Sequence, residues 1–351
     1  MKNILFVSTA PTRVHELKMP LEKTGYPFFI YSLKFNRLKE LFNLISFIQS
    51  HSISLIIIDN SDERASLIRD ASILCGVPYY IFMRGDIWME LSERIPANSN
   101  KFTERLKLYN KNLSGAQRII TVSFSLGRIV EKNVPECRDK WVNIPIHIDT
   151  SYLQESFSET FVSRFKLNRK KYILSATNFD YKQKIEGMIH FSPLMKEIQT
   201  QYPDIQWVIC GDGIYKPFFE AEIKRHNLNV TLTGIISKEE ILCGYKNASL
   251  FLHISYFDAF PNVIIEAMAL GCTVVSTDIG GVPEMIDDGK TGFIIEQGNH
   301  PKMRDVIMSI LKNPDIAIDI KNNAKSAVIK RFSIEIIAKR YKELLQIDID
   351  Y

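Results

Sequence analysis

Short, almost continuously apolar runs alternate with longer helical patterns along the whole chain, and this alternation limits the fold more than any other feature. In the first half the predicted strands are Asn3–Val7, Phe28–Ser32, Ser54–Ile58, Tyr79–Met83, Arg118–Val122 and Lys140–Ile144. In the second half they are Lys171–Ala176, Gln206–Cys210, Val230–Leu232, Leu250–His253, Thr273–Ser276 and Gly292–Ile295. A strand that is apolar at nearly every position is buried on both faces, which is the condition of a parallel sheet covered by helices. The pattern occurs twice, on either side of a polar, Ser- and Glu-rich stretch near Ile148–Ser163. A chain of 351 residues also exceeds the roughly 250–300 residues at which one core stops growing. The expected architecture is α/β, with two Rossmann-like parallel-sheet domains facing across a cleft. Ligands bind beyond the carboxyl ends of such strands.

Composition excludes several function classes. No apolar run reaches the 18 residues of a membrane span, and the longest, such as Leu55–Ile58, have strand length. Met1–Val7 leads directly into an apolar run without a cleavage site, so no signal peptide is expected. The five cysteines, Cys75, Cys137, Cys210, Cys243 and Cys272, are scattered and form no C-x-x-C pair. They fit reduced thiols in a cytoplasmic protein, not a disulfide scaffold or a cysteine zinc site. The net charge of +4 is too small for a dedicated nucleic-acid binder. Its distribution is uneven. Residues 1–150 carry 20 Lys and Arg against 15 Asp and Glu, or +5, and residues 151–351 carry 24 against 25, or −1.

The most informative segment is Phe257-Asp258-Ala259-Phe260-Pro261-Asn262-Val263-Ile264-Ile265-Glu266, continuing to Gly271. Pro261 suits the first turn of a helix and Gly271 its C-terminal cap. Asp258 then lies on the loop entering the helix, and Glu266 lies on the helix itself. The free N–H groups of a helix start attract anions. Carboxylates on either side suit a ligand with both phosphate charge and hydroxyl groups. Glu266 stands between Ile265 and Ala267-Met268, and an acid beside an apolar stripe needs a partner.

This segment resembles the E-x7-E signature of the family 4 retaining glycosyltransferases, which have the two-domain GT-B fold. Asp258 stands where the family has its first Glu, and Glu266 matches the second. Val274–Glu284, Asp288–Phe293, Ile209-Cys210-Gly211-Asp212-Gly213 and Thr233-Gly234-Ile235-Ile236-Ser237 are similar to further blocks of the family, as are Ala116–Ser123 and Ile148-Asp149-Thr150. The resemblance implies a first, acceptor domain over residues 1–155 and a second, nucleotide-sugar donor domain over 156–331. A C-terminal helix over 332–351 would return to the first. It implies that Glu266 holds the ribose of a nucleotide-sugar, that Asp258 holds the hydroxyls of its sugar, and that Phe260, Pro261, Asn262 and Val263 lie near sugar and diphosphate. Gly211, Asp212, Gly213 and Gly234 would complete the donor site. Family members place an Arg and a Lys after the first strand of the second domain to stabilise the leaving diphosphate. Here Lys184 falls on that Lys and Asn178 on that Arg, with Lys182 available to compensate. Fixed cations of this kind make neither cofactor nor metal obligatory.

The first domain departs more from the pattern. The loop after its first strand, Ser8-Thr9-Ala10-Pro11-Thr12, has no glycine, and Met83-Arg84-Gly85-Asp86 stands where many members have a His. Arg84 is a candidate for acceptor or donor phosphate and Asp86 for a hydroxyl, against a salt-bridged turn. The seven histidines show no metal-ligand spacing, and His253 is the one expected near the donor pocket. Two basic stretches, Leu33–Ile48 and Lys101–Lys111, suit either an anionic membrane surface or a solvated helix face. The expected partners are a nucleotide-sugar and a glycan or lipid-linked acceptor, and no nucleic acid. The expected activity is transfer of a sugar, with retention, to an acceptor hydroxyl, the protein being cytoplasmic or peripheral on the inner face of the membrane. The rival expectations are a nucleotide-sugar epimerase or hydrolase on the same fold, and a nucleotide-sugar-binding protein without catalysis.

Overall fold

A computed structural model describes residues 2–8, 11–33, 37–154 and 160–349. The chain divides into two compact units, Met1–His147 with Phe332–Tyr351, and Ile148–Arg331. The domain boundary expected between residues 155 and 156 lies outside the described residues, as do Thr9 and Ala10 of the glycine-free loop and Lys34 of the first basic stretch.

The first unit contains β1 (Asn3–Ser8), β2 (Phe28–Ser32), β3 (Ile53–Asp59), β4 (Tyr79–Met83), β5 (Arg118–Thr121) and β6 (Trp141–Asn143). They form one sheet in the order β2-β1-β3-β4-β5-β6, with every pairing parallel. Helices return the chain between strands, because parallel neighbours cannot be joined by a tight turn. The apolar strand residues are nearly inaccessible: Ile4 to Val7, Leu55 to Ile58 and Tyr79 to Met83 are all buried. Between strands, local signals set the helix ends. Asp62 accepts a hydrogen bond from the Arg64 N–H to open the helix Glu63–Cys75, and Gly76 closes it at φ 66°. A single buried side chain then joins distant elements. Asn112 donates to the carbonyls of Ser61 and Asp62 at 3.0 Å each and accepts from Arg69 at 2.8 Å.

The C-terminal helix Ile334–Ile349 belongs to this unit. Asp348, near its end, receives Arg118 Nε at 2.6 Å and Nη2 at 2.8 Å, together with the Tyr80 hydroxyl at 2.7 Å. Only 5% of the Asp348 side chain is exposed. The Arg118 guanidinium holds the Asp348 carboxyl below the usual carboxylate range, against the upward push of burial.

The second unit repeats the plan with β7 (Tyr172–Ala176), β8 (Gln206–Cys210), β9 (Val230–Gly234), β10 (Leu250–His253), β11 (Val274–Thr277) and β12 (Phe293–Ile295). Their order is β12-β11-β10-β7-β8-β9, again all parallel. The direction of strand addition therefore reverses between β7 and β10. Trp207 is fully buried and packs edge-on against Phe219 and Phe191, at centroid distances of 5.5 and 6.4 Å. Its indole N–H donates to Ser175 Oγ at 3.0 Å, which donates to the Leu252 carbonyl at 2.6 Å. The large aromatic thus brings its one polar atom into the core with a partner. Among the described residues, no helix is long and apolar enough to cross a membrane.

All twelve expected strands form, with ends shifted by no more than two residues. β9 runs on to Gly234 because its ladder with β8 continues, past a register shift, to the Cys210–Gly234 pair.

Asp348 is the anchor of the C-terminal helix, and its loss would leave Arg118 and Tyr80 without their acceptor. Asp348→Ala should lower unfolding stability by about 1–3 kcal/mol in a denaturant titration at pH 7. The lowered pKa means that this contribution is present above about pH 4 and fades as pH falls through the folded-state value. The gap between wild type and variant should therefore narrow in acid. Equal stability of the two at pH 7 would refute the anchoring role.

Candidate active site

The reversal between β7 and β10 is where open α/β sheets bind ligands, outside the carboxyl ends of the strands. The loops leaving those two strands carry the residues that the sequence singles out. After β7, Thr177–Tyr181 leads into the helix Lys182–Gln201, so Lys182 and Lys184 lie in its first turn. After β10, residues 254–261 lead into the helix Asn262–Ala269. Lys184 Nζ and Asp258 Oδ2 meet at 2.9 Å, and their side chains are 19% and 18% exposed. Burial alone would raise the Asp258 pKa, but Lys184 and His253 outweigh it and hold the carboxyl at about 2. The Asp258 carboxylate is therefore ionised across the physiological range. Lys184 also lies 5.9 Å from the centre of the Tyr181 ring.

The same Asp258 oxygen lies 3.9 Å from His253 Nε2, while His253 Nδ1 is 3.0 Å from Ser276 Oγ. Ser276 Oγ donates to the Thr277 carbonyl at 3.1 Å. The loop itself is pinned to the chain that follows β11. Thr277 Oγ1 donates to the Ser255 carbonyl at 2.8 Å, and the Gly281 N–H donates to the Ala259 carbonyl at 2.9 Å. Gly280 makes this approach possible. It sits at φ 47°, and a Cβ there would stand 1.8 Å from the Asp258 carbonyl oxygen.

Glu266 projects from the helix Asn262–Ala269 and is 16% exposed on its side chain. It pairs with Lys238, at the start of the helix after β9, and lies 3.4 Å from the hydroxyl of the buried Tyr245. Burial, with Glu266 adding to it, keeps the Tyr245 hydroxyl protonated. Phe260 and Pro261 are buried beneath the helix start, and Asn262 and Val263 are half-buried. Gly271 follows the helix at φ 69°.

Gly211 and Gly213 after β8 and Gly234 at the end of β9 lie beside these loops. The Gly211 N–H donates to the Gly234 carbonyl at 2.9 Å, and Gly211 and Gly213 adopt φ 128° and 150°. A Cβ on Gly211 would stand 1.8 Å from the Thr177 carbonyl oxygen, so at this point the loops after β7 and β8 meet backbone to backbone. The Phe179 N–H donates to the Asp212 carbonyl at 3.1 Å. Asp212 itself is exposed and accepts from the Gly213 N–H, which, ahead of Lys216, lowers its pKa. Asn178 accepts from the Asp180 N–H at 2.6 Å and so closes its own loop. Lys182 is exposed.

The structure therefore unites Lys184 with Asp258 and places Asn178, Gly211, Asp212, Gly213 and Gly234 in hydrogen-bonded or touching loops. It also gives Glu266 two partners that sequence reasoning missed. Lys238 directly follows the Thr233–Ser237 block and was recoverable from that position. Tyr245 was not, since nothing in its local pattern distinguishes it. Arg84 and Asp86 belong to the first unit. Asp86 Oδ1 accepts from the Trp88 and Met89 N–H groups at 3.0 Å each, which makes this oxygen the cap of the helix Ile87–Arg94. Among the described residues, no three His, Cys, Asp or Glu side chains are grouped to hold a metal ion.

Residues 157–327 match the family model of glycosyl transferases group 1. That match lies within the second unit, Ile148–Arg331. Over 98–99% of its length the chain has the GT-B fold of solved glycosyltransferases. It aligns with Anabaena HepE in complex with UDP at a TM-score of 0.78 and 17% identity, covering 99% of this chain and 100% of that one. It aligns with a glycosyltransferase from Rickettsia africae at 0.78 and 19% identity, covering 98% of each. Among curated proteins, it is 26% identical over 245 residues to the 2-deoxystreptamine N-acetyl-D-glucosaminyltransferase of Niallia circulans, covering 69% of this chain and 57% of that protein. It is 28% identical over 186 residues to a Campylobacter jejuni transferase that adds N-acetylgalactosamine to a diphospho-undecaprenol-linked sugar, covering 50% and 47%. The chain thus spans about half the length of these relatives.

Proposed function

We propose that this chain is a retaining glycosyltransferase that moves a sugar from a nucleoside diphosphate donor to a hydroxyl of a glycan or lipid-linked acceptor. The observation that carries this reading is the Lys184–Asp258 pair at the strand reversal of a group 1 domain. Rupture of the sugar–phosphate bond leaves negative charge on the departing diphosphate. A preorganised ammonium in a partly buried position stabilises that charge more than it stabilises the intact donor. Asp258 keeps Lys184 fixed and, with its second oxygen, accepts a sugar hydroxyl. Glu266, held by Lys238 and Tyr245, accepts the vicinal hydroxyls of the ribose. The N–H groups at the start of the helix Asn262–Ala269 face the diphosphate, and Lys182 adds a second cation. On this reading the positive charge at the leaving group comes from the protein and no metal is obligatory.

The first basic stretch suits peripheral attachment to an anionic membrane. In the helix Arg37–Ser50, Leu38 and Phe42 are 73% and 72% exposed, with Arg37 and Lys39 beside them. Co-sedimentation with vesicles containing phosphatidylglycerol should occur at low salt and weaken at high salt, because charges more than about 8 Å apart are screened at physiological ionic strength. Failure to bind at low salt would remove this part of the proposal.

The activity has a direct test. A thermal-shift panel of UDP-, GDP- and ADP-sugars identifies the donor, since a ligand bound to the native state raises its stability. With that donor, Lys184→Ala should lower turnover by about 10²–10³, the usual cost of one preorganised electrostatic donor. Turnover at the wild-type rate would overturn the leaving-group role. Release of free or epimerised sugar, with none transferred to any acceptor, would favour a hydrolase or epimerase.

A further inference from the structure

The bonds from Thr277 and Gly281 tie the loop that carries Asp258 to the chain after β11. A different set ties it to the helix that carries Lys184, and this set runs through Tyr256. Tyr256 stands two positions before Asp258, and its N–H donates to the carbonyl of Gln183, the residue before Lys184, at 3.0 Å. The same helix presents Gly187 to the loop. A Cβ on Gly187 would stand 2.7 Å from Ile254 Cγ2 and 3.2 Å from the Tyr256 ring. A glycine inside a helix costs about 0.5–1 kcal/mol relative to alanine, and here its bareness admits the loop.

The Tyr256 hydroxyl then reaches two histidines on different helices. It lies 2.8 Å from His300 Nε2, at the start of the helix His300–Lys312, and 3.1 Å from His190 Nδ1, on the helix Lys182–Gln201. A hydroxyl has one proton and two lone pairs, so it can donate to one ring nitrogen and accept from the other. Burial raises the Tyr256 pKa and the hydroxyl keeps its proton. Burial, with His190 adding to it, lowers the His300 pKa, so this imidazole is neutral at pH 7 and retains an acceptor nitrogen. The two helices are fixed to each other, because Met303 and Ile307 share one buried core with Met188 and Phe191. The hydroxyl is therefore held by a rigid frame.

We infer that Tyr256, held by His190 and His300, is a positioning residue that sets the loop after β10 so that Asp258 meets Lys184. Misplacing a catalytic group by about 1 Å can cost about 10²-fold in rate. Only the effect on turnover rests on the transferase reading. The placement of the loop rests on the contacts alone.

Tyr256→Phe removes the hydroxyl and keeps the ring. With the UDP-, GDP- or ADP-sugar that the thermal-shift panel selects, this variant should lose about 10–10²-fold in kcat with little change in donor KM. His300→Gln retains a polar group toward the hydroxyl and should be less impaired than His300→Leu. In the Lys184→Ala background Tyr256→Phe should cost clearly less, because the pair is already lost. Melting temperatures check that each variant is folded. A kcat that Tyr256→Phe leaves unchanged, or an equal loss in both backgrounds, would overturn the positioning role. A crystal structure of Tyr256→Phe needs no donor. It should show the Lys184–Asp258 separation beyond about 3.5 Å, and a pair still within hydrogen-bond distance would overturn the inference. The donor reading fails separately, through Lys184→Ala turning over at the wild-type rate.

Discussion

A parallel strand buried on both faces has no side available for chemistry, so polar work is confined to its ends. This constraint explains where the functional groups of both units lie. The interiors of β1, β3, β4, β7, β8 and β10 are almost entirely apolar and nearly inaccessible. The residues with chemical potential stand at or beyond the strand ends: Arg84 after β4, Asn178 to Lys184 after β7, the glycines after β8 and at the end of β9, and Asp258 after β10. Bringing these loops together then requires backbone to approach backbone. Gly211 and Gly280 each occupy a place where a Cβ would stand 1.8 Å from a carbonyl oxygen. The sheet selects the location, and the glycines permit the convergence.

Within that convergence the electrostatics are cooperative. Asp258 has a desolvated carboxylate, and Lys184 offsets the desolvation by direct pairing. The aspartate is one methylene shorter than the glutamate of the family signature, and its shortness does not prevent the pair at 2.9 Å. In return Lys184 is held in place where a flexible lysine would otherwise lose rotamer freedom on engaging a ligand. Glu266 follows the same logic with different partners, Lys238 and Tyr245. Each acid in the site is thus oriented before any ligand arrives, which is the condition for electrostatic stabilisation without reorganisation.

Much of this was legible in the sequence, for identifiable reasons. Doubly buried strands leave continuous apolar runs, and these located the strands of both sheets. Pro261 and Gly271 marked the ends of the short helix that carries Glu266. The resemblance around residues 257–293 pointed to Asp258 and that over Ala176–Lys184 to Lys184, and the structure joins them. What remained hidden was long-range or ambiguous. Arg118 and Asp348 are 230 residues apart, and no local pattern links them. Tyr245 lies on an ordinary amphipathic helix. Asp86 is instructive in another way. An Asp just before Ile87-Trp88 is a helix-capping signal, and its Oδ1 serves that purpose, although its place after a strand also suggested a ligand. The same residue type answers both descriptions until the backbone N–H groups are seen.

The central claim is that Lys184 and Asp258 act as one unit in donor turnover. A double-mutant cycle with Lys184→Ala, Asp258→Ala and the double variant measures this directly, since side chains in contact are non-additive where independent ones add. The double variant should be clearly less impaired than the product of the two single effects, because each single variant already loses the pair. Losses that multiply, with the double variant slower by the product of the two single effects, would contradict it.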